Sequence, residues 1–168
     1  MRKNRLRELW AAGQAAVNGW VSVPSPYVAE VMSHQGWDGL TIDLQHGPID
    51  VPDAIPMLQA MSAGNAVPII RVPWNEPSVI MRCLDAGAYG IICPMINNRD
   101  DAERFVGACR YPPDGYRSNG AYRGTIYGGA DYLDHANEEI LTFAMIETRE
   151  GVANLQEIAE TPGLDAVY

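Results

Sequence analysis

The chain has 168 residues, 47% hydrophobic and 20% charged, and its 12 Lys and Arg face 21 Asp and Glu for a net charge of −9. Such a composition suits a globular domain with a real core rather than a disordered chain. The acidic balance lacks the basic face that phosphate backbones demand, and no run of about 18 apolar residues is available to span a bilayer, so nucleic acid and membrane are excluded as partners.

In chain order, Met1-Arg2-Lys3 is basic, but Glu8, Gly13 and Gln14 interrupt what would have to be an apolar signal core. The segment therefore reads as a cytoplasmic N-terminus. A first strand is expected at 19–23. Ser25 before Pro26 opens a helix with a stripe of Val28, Val31 and Met32, and Gly36 closes it. A second strand follows at 39–43, and Asp50 ahead of Pro52 opens the next helix, which exits at Gly64. After a third strand at 67–72, Asn75-Glu76-Pro77 leads into a helix striped by Ile80, Cys83 and Leu84, with Gly87 beyond it. A fourth strand at 90–94 precedes a helix striped by Ala102, Phe105, Val106 and Cys109.

Residues 111–130, rich in Gly, Pro and Tyr and carrying Arg117 and Arg123, read as a long loop, of a kind that is usually functional or mobile. The two arginines either grip an anion there or only solvate the loop. A short helix at 131–139 follows. The fifth strand is expected at 141–147, then a helix striped by Val152, Leu155, Ile158 and Ala159, then a sixth strand at 164–168. Cys83, Cys93 and Cys109 are odd in number, show no CxxC spacing and sit in apolar patterns, as reduced core thiols do.

The strands are near-continuous apolar runs, which suits parallel strands covered on both faces. Repeated βα units predict either a closed (β/α)8 barrel or an open doubly wound sheet, and composition does not choose between them. The sixth run stops in mid-strand, which leaves backbone groups unpaired. A complete barrel takes about 250 residues. The expectation is one C-terminally incomplete domain over 1–168, with about five and a half βα units.

In parallel α/β folds the ligand site lies at the carboxyl ends of the strands. The second strand brings Asp43 and His46 there, the third Arg71 and the fifth Glu147. A carboxylate beside an imidazole supports its use as a base. An arginine holds a carboxylate or a developing enolate oxygen, and a glutamate ending an apolar strand is a hard ligand for a divalent metal. The bland alternatives are that Asp43 caps a turn and that Arg71 bridges to a neighbouring carboxylate. His34 and His135 read as surface residues, and Asp38 and Asp165 fall at the opposite, stabilising end of the sheet. The functional reading requires Asp43, His46, Arg71 and Glu147 to gather round a common hollow.

Four segments carry a resemblance: PSPYVAEVMSHQGWDGLTIDLQHGP, IIRVPWNEP, LDAGAYGIICPMINNRDDAERFVGACRYPPDGYRSNG and FAMIETREGVANLQEIAETPGLDAVY. In order and spacing they resemble the HpcH/HpaI family of metal-dependent 2-keto acid aldolases, from about Asn18 to the last residue. The resemblance implies a TIM barrel that cleaves 4-hydroxy-2-oxo acids to pyruvate and an aldehyde, with a divalent Mg2+, Mn2+ or Co2+ stabilising the enolate. It puts the family's proton-transfer dyad on His46 and Asp43, its enolate arginine on Arg71 and its first metal ligand on Glu147. The second metal ligand is expected beyond Tyr168, so the chain alone is expected to be inactive while its parent works as a homo-oligomer. Two positions depart from the family pattern, Gln45 for a glutamate and Met145 for a glutamine. The competing readings are a citrate-lyase-β-type enzyme acting on CoA thioesters and a fragment that only associates through its open strand.

Overall fold

A computed structural model describes residues 1–168. Six strands form one parallel sheet: β1 (Asn18–Val21), β2 (Gly39–Asp43), β3 (Val67–Arg71), β4 (Gly90–Cys93), β5 (Leu141–Ala144) and β6 (Ala166–Val167). Their spatial order is their sequence order, β1-β2-β3-β4-β5-β6. A doubly wound sheet would reverse direction at a switch point, so the unbroken order decides for barrel winding. The sheet is part of a barrel, with β1 and β6 as its edges.

Pairing register sorts the side chains. Asn18 and Trp20, Gly39, Thr41 and Asp43, Ile69 and Arg71, Gly90 and Ile92, and Phe143 are linked as direct partners and share the inner face. Leu40, Ile42, Ile70, Ile91 and Ala144 alternate with them and pack under the helices, all fully buried. Burial on both faces accounts for the uninterrupted apolar runs.

The covering helices are α2 (Pro26–Ser33), α3 (Val51–Met61), α4 (Pro77–Asp85), α5 (Arg99–Cys109), α8 (Arg149–Ala153) and α9 (Leu155–Ala159). Ser25, Asp50 and Asn98 cap α2, α3 and α5, Asp50 within a reciprocal capping box with Asp53. The expected stripes on α4 and α5 are buried throughout. On α2 the buried residues are Ala29 and Ser33, and Val31 is exposed. The stripe expected over 152–159 fails more completely. The chain breaks at Asn154 into two short helices, which leaves Val152 and Leu155 exposed and Ile158 alone buried. None of the helices is long and apolar enough to cross a membrane.

A helix that the sequence reading missed, α1 (Arg5–Ala11), sits under the amino ends of the strands. Asn4 caps it and ties it down through Nδ2 to the carbonyls of Tyr89 (3.1 Å) and Glu139 (2.8 Å). Leu6 and Trp10 reach the barrel interior, where with Ile69, Ile92 and Phe143 they line an apolar cavity of about 130 Å³.

The 111–130 segment is only partly loop. It contains α6 (Tyr122–Gly128) and runs into α7 (Tyr132–Glu139). Its arginines are buried: Arg117 donates to Asp85 (2.9 Å) and Arg123 to the Ala86 carbonyl (2.9 Å) and Ser62 Oγ (2.7 Å). Neither reading of them as anion grip or solvated surface holds. They fasten the segment to the α3–α4 layer. All three cysteines are free and buried, and burial pushes the Cys83 and Cys109 thiols up to about 12.

Candidate active site at the carboxyl rim

Asp43 ends β2 and Arg71 ends β3, and the two are register partners. Arg71 grips the carboxylate side-on, Nε to Oδ1 at 2.9 Å and NH2 to Oδ2 at 2.6 Å. This is the bidentate fork geometry, with both side chains largely buried. Oδ1 also accepts the backbone N–H groups of Gln45 (3.0 Å) and His46 (3.3 Å), so Asp43 shapes the turn after β2. Burial pushes the Asp43 carboxyl up, but the hydrogen bonds from Arg71 and the two amides, with the Arg71 charge, outweigh it and hold it below its ordinary value.

The guanidinium lies 4.8 Å above the Trp20 ring, a cation–π contact from β1. With Nε and NH2 engaged by Asp43, NH1 has no protein partner and is the edge left for a ligand oxygen.

His46 is exposed on the turn, three residues past β2, and its imidazole makes no hydrogen bond. The expected ring-orienting contact from Asp43 is absent, because the carboxylate is taken by Arg71 and by the main chain. The bland alternatives for Asp43 and Arg71, turn cap and bridge to a neighbouring carboxylate, describe what the two side chains do. Glu147 lies beyond the observed end of β5, in the loop before α8, exposed, with Oε2 accepting the Met95 N–H at 3.0 Å. Thus two of the four residues touch, and the other two stand apart, on the loops after β2 and β5, with β3 and β4 between them in the sheet. No cavity is lined by any of them, and the largest, about 470 Å³, lies at the opposite end beside Arg7, Arg110 and Asp165. The rim is open to solvent rather than a closed hollow.

Sequence reasoning missed Met95, which holds φ at 58° although it is not a glycine. That left-handed conformation costs about 1–2 kcal/mol and turns its N–H toward Glu147. No local sequence signal marks it.

The model of the HpcH/HpaI aldolase/citrate lyase family matches residues 17–168. The chain belongs to this family. A hydroxypyruvate/pyruvate aldolase of Rhizorhabdus wittichii is 44% identical over 165 residues, covering 98% of this chain and 66% of that protein. A 5-keto-4-deoxy-D-glucarate aldolase of Escherichia coli is 35% identical over 167 residues, covering 98% of this chain and 65% of the relative. The chain thus spans just under two thirds of the length of these aldolases. The crystal structure of an HpcH/HpaI aldolase/citrate lyase family protein from Burkholderia cenocepacia J2315 superimposes with a TM-score of 0.90 at 36% identity, covering 98% of this chain and 68% of that one.

Aldolases of the HpcH/HpaI family depend on a divalent metal. In this chain no group of three or more His, Cys, Asp or Glu side chains is arranged to hold one. Glu147 does offer a hard oxygen: Oε2 is fixed by an amide and Oε1 has no protein partner. The donor set fits a divalent cation as one ligand among several, not as a complete cage.

Proposed function

We propose that this chain carries the enolate-holding and proton-transferring groups of a class II aldolase, which cleaves 4-hydroxy-2-oxo acids reversibly to pyruvate and an aldehyde. The observation that carries the reading is the side-on Asp43–Arg71 pair at the carboxyl rim, which leaves NH1 of a fixed guanidinium unpartnered. In the cleavage direction His46 takes the proton of the C4 hydroxyl, the C3–C4 bond breaks, and its electrons pass to the C2 oxygen as an enolate. Arg71 NH1 donates to that oxygen, and a proton returned to C3 completes pyruvate. Glu147 would hold in part a divalent ion, Mg2+, Mn2+ or Co2+, which would supply Lewis acidity to the enolate chemistry. Asp43 positions Arg71 and the His46 turn rather than the imidazole itself. In this reading residues 1–168 form one barrel-type domain, the enzyme works in the cytoplasm as a homo-oligomer, and its partners are small 2-keto acids and aldehydes.

The test, on a full-length version of the enzyme, is exchange of the pyruvate methyl protons in D2O, the half-reaction that needs only proton transfer and enolate holding. Exchange that requires added Mg2+ and stops with chelator supports the proposal. Exchange indifferent to chelator, or cleavage of a CoA thioester in place of a 4-hydroxy-2-oxo acid, overturns it in favour of another chemistry.

A further inference from the structure

Between the loops that follow β4 and β5, one side chain has every polar group engaged. Asn97 Nδ2 donates to the Met95 carbonyl at 3.0 Å, and Asn97 Oδ1 accepts from the Thr148 hydroxyl. Its backbone carbonyl accepts from Asn154 Nδ2 at 2.9 Å, and its N–H donates to Asp101 Oδ2 at 3.1 Å. The two residues it holds by its side chain are the two that flank Glu147 in space and in sequence. Met95 N–H bonds the Glu147 carboxylate, and Thr148 is the next residue, the N-cap of α8 through its contact with Gly151 N–H at 3.0 Å. The loops are also in van der Waals contact: a Cβ on Gly151 would meet the Ile96 carbonyl at 2.9 Å.

We propose that Asn97 is a positioning residue that sets the Glu147 carboxylate from both sides. The amide closes a ring onto the Met95 carbonyl and so keeps Met95 in its left-handed conformation, which φ of 58° makes unfavourable for a side-chain-bearing residue. Held that way, Met95 presents its N–H to Oε2. The other end of the same amide fixes Thr148 and with it the backbone immediately after Glu147. An exposed glutamate would otherwise sample several rotamers, and a ligand restricted to one offers its free oxygen in a constant direction. The inference rests on the reading of Glu147 as a metal ligand only in its consequence for the ion, not in its geometry.

Two measurements on the chain as it stands test it. Hydrogen exchange of the Met95 amide, read by NMR, should speed up about 10-fold or more in Asn97→Ala and in Glu147→Gln, while the Ile92 and Cys93 amides of β4 stay unchanged. Asn97→Asp, which loses the Nδ2 donor but retains an oxygen toward Thr148, should speed it as well. Mn2+ binding, followed by electron paramagnetic resonance, should weaken about 10- to 100-fold in Asn97→Ala, the range for residues that orient a metal ligand. An unchanged Met95 exchange rate in both Asn97 variants overturns the proposal whatever the metal does. If Glu147→Gln leaves the Mn2+ affinity of the wild-type chain unaltered while Met95 exchange responds as stated, the metal role of Glu147 fails and the positioning by Asn97 stands.

Discussion

Arg71 meets Asp43 through two adjacent donors, Nε at 2.9 Å and NH2 at 2.6 Å, because residues 43 and 71 are register partners on β2 and β3. The pair spends one edge of the fork on the protein and leaves the other for a ligand. Lysine carries the charge but has no fork, so it cannot serve both partners at once. Arg71→Lys should therefore lower metal-dependent pyruvate exchange by about 10²-fold, the cost of removing one donor from a developing oxyanion. The check is the exchange rate at saturating pyruvate. A rate within twofold of wild type would remove Arg71 from the enolate.

His46 and Asp43 should separate function from stability. The imidazole is exposed and bonds to nothing, so His46→Ala should change stability by no more than about 0.5 kcal/mol while exchange falls by about 10²- to 10⁴-fold, as for a lost general base. Asp43→Ala strips Arg71 and two backbone amides of their acceptor in a largely buried place, and should cost about 3 kcal/mol. Urea denaturation of the two variants reads the contrast. Equal stability losses would show that the imidazole has structural contacts of its own.

The lowered Asp43 pKa sets an acid limb. A carboxyl depressed in the fold contributes its full stabilisation above its unfolded value, near 4, and loses it as pH falls through the lower folded value. Stability should thus decline below about pH 4, and the decline should be shallower in Asp43→Asn, which has no carboxylate to protonate. Urea midpoints between neutral pH and about pH 3 measure the slope. Identical limbs in the two proteins would assign the acid response to other carboxylates.

Much of the fold was legible because parallel strands buried on both faces leave uninterrupted apolar runs, and 39–43 matches β2 to the residue. The local runs left barrel and doubly wound sheet open, and only the family resemblance implied the barrel, since winding resides in the order of pairing rather than in any local run. The same holds for the site. Residue types at strand ends pointed to the rim, but which groups would touch depended on register, and an acid three residues from a histidine proved to face an arginine 28 positions away in sequence. The stripe over 152–159 presumed one continuous helix, and the break at Asn154 rotates Val152 and Leu155 off the core. With seven residues and Leu6 alone buried, α1 has too few apolar positions for a period to show.

Arg117 gives the sharpest contrast between a loop that looks functional and one that is fastened. Its side chain is fully buried, its guanidinium 4.5 Å from the Tyr111 ring and 5.6 Å from that of Tyr132, with NH1 donating to Tyr132 Oη at 3.1 Å and NH2 to Asp85 at 2.9 Å. Two aromatic faces, a hydroxyl and a carboxylate surround it, and Nε, its one unpartnered donor, is buried out of reach of an anion from solvent. Arg117→Leu keeps apolar volume between the rings but strands Asp85, and the loss of one partner from such a pair should cost about 3 kcal/mol. Because Asp85 is partly hydrated, the penalty belongs at the low end of that range. Pyruvate exchange per folded molecule should stay within about twofold of wild type, a shift of less than 0.5 kcal/mol in the barrier. Denaturation midpoint and exchange rate, measured on the same preparation, decide it: an inactive variant of undiminished stability would return Arg117 to the ligand.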